Sequence, residues 1–291
     1  MRRLALTLGL TLLATSAFAH GRSINIDEDT FGDCNATRIS FDGERAAIER
    51  VELPASGLRS LKVRTGNGPL SIRGGNAWSI VACKAAEDAS ALRNVDVRLS
   101  GDELSASGNG EHDWTVVFYI TTPRGADLTV DTSNGPVSLR DVDGDLKLHT
   151  RNGPLTLHNV SGHVDADAQN GPIGLRGGSG TINVRAQNGP LTVNLDGSSF
   201  NGTLEASTKN GPLSVRIPRG YASGVLVEAL GHGPVSCHAE GCREARAKMR
   251  NDDDDDWNQP RSFSFGSGPQ NVKVSTVNGP VTIRETGGED D

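Results

Sequence analysis

Aromatic residues and cysteines are scarce in this sequence of 291 residues. Phe, Trp and Tyr together make up 4% of the chain, and there are only four cysteines. So few rings disfavour a glycan-cleaving site, because sugar rings in such sites usually stack on aromatic side chains. The chain is nevertheless 35% hydrophobic, which is too apolar for a disordered protein, and its 36 glycines are too many for a helical one.

An excess of positive charge is absent as well. The formal net charge of −7 disfavours non-specific binding to nucleic acid, so we expect no nucleic-acid partner. The one long apolar run is at the start, where MRR precedes LALTLGLTLLATSAFA and AFA ends at Ala19. This pattern is typical of a secretory signal over residues 1–19, and the run is too short for a membrane helix. We therefore expect export without membrane insertion after cleavage, to the periplasm first, with secretion or the cell surface as alternatives.

Motifs for catalysis and metal binding are missing too. The sequence contains no Gly-x-Ser-x-Gly, no His-Glu-x-x-His and no phosphate-binding loop. The run from Asp252 to Asp256 favours a solvated loop, since a calcium site needs oxygens that converge from a shaped loop. His20 would be the first residue after cleavage and its amine and ring could chelate copper, but nothing downstream resembles a copper enzyme. We expect no cofactor and no metal.

The four cysteines are an even number in a chain predicted to be exported. This favours disulfides, and four cysteines allow three pairings. Cys237 and Cys242 close the short loop CHAEGC, which leaves Cys34 to pair with Cys83. Zinc is the alternative, but the sequence has no Cys-x-x-Cys pair to begin such a site.

One tripeptide, Asn-Gly-Pro, recurs through the chain, and a variant, His-Gly-Pro, begins at His232. From Asn134 onward the steps between units are 18, 18, 18, 22, 22 and 46 residues. Apolar residues stand six and four before each Asn and three and five after it, with Thr or Ala two before it. A spacing of two is the period of a strand with one buried face, so each unit is a strand, a turn and a second strand. The tripeptide begins at Asn67, Asn134, Asn152, Asn170, Asn188, Asn210 and Asn278.

Two architectures fit these units, a stack of coils and a meander of hairpins. Side chains at equivalent positions keep a similar size from unit to unit, as expected if coils stack directly about 4.8 Å apart. A meander pairs each strand with a reversed neighbour, where such matching has no purpose. We therefore predict an all-β fold, a single-chain β-solenoid similar to a parallel β-helix, with coils of about 18–22 residues that each lie on the preceding one. The unit at His232 is out of step by one residue, which predicts a one-residue bulge or a local rewinding of the chain.

The ends of the chain lack the repeat signature. We divide the chain into a signal peptide (1–19), an N-terminal segment and irregular cap (20–60), a solenoid (61–286) with an Asp-rich loop insert at 239–262, and an acidic tail (287–291). Between Asn67 and Asn134, CKAAEDASALRN predicts a short helix, while VDVRLSGDELSAS and WTVVFYITTP predict further strands. Atypical end units are expected because they cap the exposed edges of a stack.

Three stretches resemble a bacterial β-strand-repeat family of unknown function, often labelled "putative adhesins". They are LKVRTGNGPLSIRG, ALRNVDVRLSGDELSAS and VVFYITTPRGADLTVDTSNGPVSLRDVDGDLKLHTRNGPLTL. The family pattern is a strand pair around an Asn-Gly turn, an intervening segment, a strand that ends in Pro and then tandem short repeats. The resemblance covers residues 55–286 and implies a repeat β-fold with an adhesin-like role. The Asp-rich insert and the lack of a visible surface anchor depart from that pattern.

Two side-chain columns are candidate sites. The seven Asn residues are expected to hydrogen-bond to one another along the stack, as a structural ladder at the turns. On the exposed side of the second strand, Ser or Thr recurs four residues after the Asn, and a mostly basic column, with His158 and Asn194 in it, recurs six after. We call this second column the Arg stripe. It predicts a track for an acidic polymer, and solvated arginines that cover apolar edges are the alternative. Its arginines are Arg73, Arg140, Arg176, Arg216 and Arg284.

We predict that the protein is not an enzyme. Its expected role is a structural or adhesin-like binding module of the bacterial cell envelope, with an envelope polymer or protein as partner; the partner's identity and the oligomeric state stay open. The alternative is a polysaccharide-active enzyme on a β-helix. Outward side chains of the first strand offer it a mixed cluster of Lys147, His149, Asp165, Asp167 and Arg185.

Overall fold

The fold is an all-β solenoid, as the sequence predicts. The computed structural model describes residues 22–25, 30–109, 113–231, 233–239 and 261–286. Strands account for nearly all regular structure there, and a short 3-10 helix lies at Ala91–Asn94. Within this part of the chain, no helix has the length and apolarity needed to cross a lipid bilayer.

Each repeat contributes its longer strand to one sheet, which we call the long-strand sheet. Its middle strands are parallel and in register, so Leu146 pairs with Leu128 on one side and with Val164 on the other. Antiparallel strands close both ends. In spatial order the sheet contains β23 (Arg261–Phe265), β21 (Gly224–Ala229), β24 (Gln270–Asn278), β19 (Gly202–Asn210), β17 (Ser179–Asn188), β15 (Ser161–Asn170), β13 (Asp143–Asn152), β11 (Ala126–Asn134), β5 (Ser60–Asn67), β9 (Glu103–Gly108) and β8 (Val95–Ser100).

After the Asn-Gly-Pro corner, each repeat adds a shorter strand to the short-strand sheet. Its middle strands are again parallel and in register, so Leu139 pairs with Ile72 and with Leu157. In spatial order this sheet contains β22 (Val235–Cys237), β25 (Val281–Thr286), β20 (Leu213–Pro218), β18 (Leu191–Asn194), β16 (Ile173–Arg176), β14 (Leu155–His158), β12 (Val137–Arg140), β6 (Leu70–Gly74), β10 (Trp114–Thr122), β7 (Ser79–Ala86) and β4 (Ala47–Leu53).

The core lies between the two sheets. Alternate side chains of both sheets point inward, and residues such as Leu146 and Leu157 are completely buried. Each buried aliphatic side chain contributes roughly 1.5–3 kcal/mol, but a coil can bury its inner face only against neighbouring coils. Beside the corner the inward residue is Thr or Ala. The hydroxyl of Thr208 donates a hydrogen bond to the carbonyl oxygen of Gly189 on the next coil at 3.0 Å, which ties one corner to the next.

An N-terminal cap covers the outer face of the short-strand sheet at one end. Its strands β1 (Arg22–Asn25), β2 (Arg38–Phe41) and β3 (Glu44–Arg45) form a small antiparallel sheet. Side chains of this cap pack on Val117 and Tyr119 in a second buried cluster, separate from the main core. The cap therefore stabilises the end of the stack from outside.

A disulfide joins this cap to the solenoid. It links Cys34 to Cys83 on β7, with their Cα atoms 5.4 Å apart, and both residues are buried. Cys237 is also disulfide-bonded. Its predicted partner, Cys242, lies outside the described residues.

The order of the coils is not the one predicted at the C-terminal end. Strands β24 and β25, which carry the last Asn-Gly-Pro, lie between the coil of Asn210 and the coil formed by β21 and β22. The expectation that each coil lies on the preceding one is therefore wrong here. The β21–β22 coil is irregular, because Ala229 and Val235 stand opposite Thr276 and Val281, which leaves one extra residue between them.

This irregularity explains the exchanged order. A coil at the end of a stack has to match the geometry of one neighbouring coil, whereas a coil inside the stack has to match two. The irregular β21–β22 coil therefore lies at the end. The extra residue matches the one-residue offset predicted for this unit, and His232 itself lies outside the described residues.

Two further local predictions differ from the structure. Residues 83–86 belong to β7, not to a helix, because β7 pairs with β4 and with β10 on its two sides. The insert predicted to reach residue 262 ends earlier, since β23 begins at Arg261 and pairs with β21. The segments 1–19 and 287–291, His20 and the run from Asp252 to Asp256 lie outside the described residues.

Candidate functional site: the Arg stripe

The asparagines at the corner form an unbroken ladder of side-chain hydrogen bonds. Each amide nitrogen donates to the amide oxygen of the Asn on the neighbouring coil, at 2.9 to 3.1 Å. Each inner Asn thus uses its oxygen and one N–H within the column. The ladder holds the corners together and leaves little of these amides for a ligand. In spatial order it joins Asn67, Asn134, Asn152, Asn170, Asn188, Asn210 and Asn278.

The Arg stripe crosses the outer face of the short-strand sheet. Strand pairing places its members at one register position on seven consecutive strands, about 4.8 Å apart. The Ser/Thr column runs beside it on the same face, two residues nearer the corner, and is half-buried. In spatial order the stripe is Arg73, Arg140, His158, Arg176, Asn194, Arg216 and Arg284.

Arg73 is not equivalent to the other arginines of the stripe. Its guanidinium lies over the ring of Phe31, 4.5 Å from the ring centroid, as a cation–π contact. Phe31 in turn packs edge-on against Tyr119, with ring centroids 5.2 Å apart. The N-terminal cap therefore occupies this end of the stripe, and the open part begins at Arg140. At the other end, beyond Arg284, His238 is exposed.

Three arginines of the open part have no acidic partner. Arg176, Arg216 and Arg284 are exposed, and no carboxylate among the described residues forms an ion pair with them. Two acids that follow Arg140 in the sequence accept hydrogen bonds from the neighbouring coil. Asp141 accepts one from the Asn159 amide at 2.6 Å, and Asp143 accepts one from a serine hydroxyl at 2.8 Å. These three arginines are therefore cations that an anion from outside can reach.

The outer face of the long-strand sheet is different, because many of its cations are paired. Lys62 lies 3.5 Å from Asp102, and Lys273 lies 3.0 Å from Glu228. A hydrogen bond from Ser60 and the charge of Lys62 lower the pKa of the Asp102 carboxyl. The hydrogen bond and charge of Glu228 raise the pKa of Lys273. Opposite charges thus offset each other at these positions, although Arg151 and Lys209 on the same face form no ion pair with a described residue.

Comparison with known proteins places this fold in a family. The Toastrack DUF4097 family matches residues 14–229 of the sequence, which is most of the chain. The chain belongs to the Toastrack DUF4097 family. None of the curated proteins matches this Toastrack chain.

Two solved structures are similar to it. One is a "putative cell adhesion protein" from Clostridium sporogenes ATCC 15579, with 13% identity over 83% of this chain and 100% of that chain, and a TM-score of 0.33. The other is a "putative adhesin" from Bacteroides fragilis NCTC 9343, with 11% identity over 82% of this chain and 97% of that chain, and a TM-score of 0.40.

In this Toastrack chain the mixed cluster on the long-strand sheet is an ion-pair network. One guanidinium nitrogen of Arg185 lies 3.2 Å from Asp165 and 3.7 Å from Asp167. Lys147 lies 3.6 Å from Asp145. Asp165 and Asp167, the two carboxylates that the enzyme alternative would use, are therefore both paired with Arg185, as in a charged surface stabilised by ion pairs.

A shallow groove of about 790 Å³ crosses the same face. Its lining includes His149, Arg151, Asp167 and Lys209, so both signs of charge are present, and it also includes Val277, which is 38% exposed. Such a mixed lining favours no single class of ligand. Among the described residues, no group of three His, Cys, Asp or Glu side chains is placed to hold a metal ion.

Sequence reasoning missed two features of the stripe. Phe31 lies in a segment without repeats, so nothing in the sequence connects it to Arg73. The second feature is that the Nδ1 atom of His158 and the Oδ1 atom of Asn194 are buried and have no hydrogen-bond partner in the part of the chain that the structure describes. The sequence spacing located both residues in the column, but it could not show that these two atoms lack hydrogen-bond partners.

Proposed function

We propose that this protein is an exported binding module without enzymatic activity, which holds an acidic polymer of the bacterial envelope along the Arg stripe. The observation that carries the proposal is the contrast between the two outer faces. Arg176, Arg216 and Arg284 are exposed and have no acidic partner among the described residues, whereas cations such as Lys273 and Arg185 on the other sheet are paired.

The shape and chemistry of the molecule support this proposal. A stack of in-register coils offers a straight row of side chains, which suits a linear ligand better than a compact one. The chain as a whole is acidic, with a net charge of −7, so an acidic polymer is attracted to the stripe and repelled elsewhere. The Cys34–Cys83 disulfide supports export, because disulfides persist in oxidising compartments.

Replacing three arginines of the stripe is expected to abolish most of the binding. In Arg140→Ala/Arg176→Ala/Arg216→Ala, affinity for size-fractionated polygalacturonate should fall by about 100-fold at low salt, since each lost contact also loses counterion release. The slope of log K against log salt should decrease by about 2 to 3. Calorimetric titration over a range of salt concentrations measures both quantities.

The matched control removes the same charge away from the stripe. Arg59, Arg93 and Arg124 are exposed residues outside it, and Arg59→Ala/Arg93→Ala/Arg124→Ala should bind as the unmodified protein does. Equal losses in the two triple variants would show that binding follows net charge alone. A salt-independent affinity of the unmodified protein would also contradict the proposal.

The absence of polysaccharide cleavage is tested at Asp165 and Asp167, the two carboxylates that are paired with Arg185. We expect no new reducing ends when the protein is incubated with hyaluronan or polygalacturonate, because Asp165 and Asp167 are both engaged by Arg185. Release of reducing ends that disappears in Asp165→Asn/Asp167→Asn, with unchanged thermal unfolding, would show that the protein is an enzyme.

A further inference from the structure

Over five strands of the open part of the Arg stripe, arginine alternates with another polar side chain, and Arg284 then follows Arg216 directly. From Arg140 to Arg216 the column reads Arg, His, Arg, Asn, Arg on five consecutive strands. With strands about 4.8 Å apart, the three arginines recur about every 9.6 Å. From this pattern we infer that the stripe recognises a linear acidic polysaccharide whose negative charges lie on alternate sugars, with neutral sugars between them. This inference rests on the proposed function and names its ligand class.

The spacing separates this ligand from other polyanions. A nucleic-acid strand carries a charge about every 3.4 Å, which is far denser than the arginines. An extended peptide presents side chains on one face about every 6.6 Å, which falls out of register within two arginines. An extended pyranose chain advances by nearly one strand spacing per sugar. Acid groups on alternate sugars therefore meet Arg140, Arg176 and Arg216 in turn.

The two members of the column between the arginines, His158 and Asn194, support the same ligand. Among the described residues, the Nδ1 atom of His158 and the Oδ1 atom of Asn194 have no hydrogen-bond partner, and both lie on the strands between the arginines. Both atoms are buried, so a hydroxyl or amide group of a neutral sugar can satisfy them only after a local rearrangement of side chains. Thr156 and Thr192, on the same two strands, add further hydroxyls two residues away.

A carboxylate on every sugar fits this column less well. The intervening carboxylates then face an amide and an imidazole instead of a guanidinium, and lose the strong charge-assisted hydrogen bonds that arginine provides. Non-specific attraction predicts the opposite order, because it grows with the charge density of the polymer. The preference between the two polymers therefore separates recognition from simple charge attraction.

The test compares hyaluronan, with a carboxylate on alternate sugars, and polygalacturonate, with one on every sugar, as fragments of equal length at mildly alkaline pH. We expect the unmodified protein to bind hyaluronan about tenfold more tightly, which corresponds to about 1.4 kcal/mol. Equal binding, or tighter binding of polygalacturonate, overturns this inference while the proposed function stands. If neither polymer binds, the proposed function fails as well.

A pair of substitutions should reverse the preference. His158→Arg/Asn194→Arg places a cation on every strand of the open stripe, so polygalacturonate should become the better ligand by about tenfold. The control Thr129→Arg/Thr181→Arg adds the same charge on the exposed outer face of the long-strand sheet and should keep the preference for hyaluronan. A reversal in both variants, or in neither, contradicts the inference.

An acidic peptide is the remaining competitor. A polyproline II helix repeats about every 9.3 Å, close to the arginine spacing, so a (Glu-Pro-Pro) repeat peptide of equal charge is included in the titrations. We expect it to bind more weakly than hyaluronan, because it has no hydroxyls for the Ser/Thr column. Binding as tight as that of hyaluronan would assign the stripe to a peptide instead.

Discussion

Gly162→Ala is expected to destabilise the solenoid by about 3–5 kcal/mol. Gly162 lies at the return turn between coils with a φ of +97°, where a residue with a side chain is strained. A Cβ atom there would lie 2.3 Å from the carbonyl oxygen of Gly144 on the neighbouring coil. That oxygen belongs to the backbone of a packed coil, so it cannot move aside without opening the stack. Urea unfolding followed by circular dichroism gives the change in the free energy of unfolding.

Gly174 provides a control in the same repeat. It has no positive φ, and a Cβ atom there would meet nothing within 4 Å. Gly174→Ala should therefore be neutral or stabilise the fold by up to about 1 kcal/mol, since it reduces the freedom of the unfolded chain. Similar unfolding midpoints for the two variants would mean that close stacking at the return turn does not limit stability.

Loss of the Cys34–Cys83 disulfide is expected to have an effect of similar size but confined to one end of the molecule. The bond closes a sequence separation of 49 residues, for which the entropy of the unfolded chain predicts about 4 kcal/mol. In a stack of repeats each coil depends mainly on its neighbours, so Cys34→Ala/Cys83→Ala should release the cap and leave the middle coils folded.

Hydrogen exchange distinguishes this local effect from global unfolding. In the double variant, amides of β2 and β7 should lose protection, whereas those of β15 and β17 should exchange as before. Arg73 should also become more accessible, since Phe31 of the cap covers it. Faster exchange along the whole stack would show that the cap is required for the entire fold.

The repeating part of the fold could be predicted because its physics is local and periodic. Counting from each Asn located the inward columns that the structure buries, such as Leu128, Leu146 and Val164. The same count located the outward Arg stripe. Every coil repeats the same environment, so a rule derived from one coil applies to the others.

The ends could not be predicted in this way, since long-range contacts decide them. The packing of Phe31 on Arg73 joins residues far apart in sequence with no shared pattern. The exchanged order of the last coils depends on how well each one matches two neighbours, and the spacing of Asn-Gly-Pro does not contain that information. The ion pairing of Arg185 with Asp165 likewise appears only once coils are in register.

The exchanged coil order has a consequence for how the chain folds as it is made. Up to β20, each new coil finds its docking surface already formed, so the stack can grow in step with synthesis. The coil of β21 and β22 then has no surface to dock on, because its neighbours β24 and β25 come later in the chain. The C-terminal end must therefore close in one late step, in which residues 270–286 enter between two coils already made. A chain released before this segment is made would have an unpaired end of the stack that is prone to association with other chains.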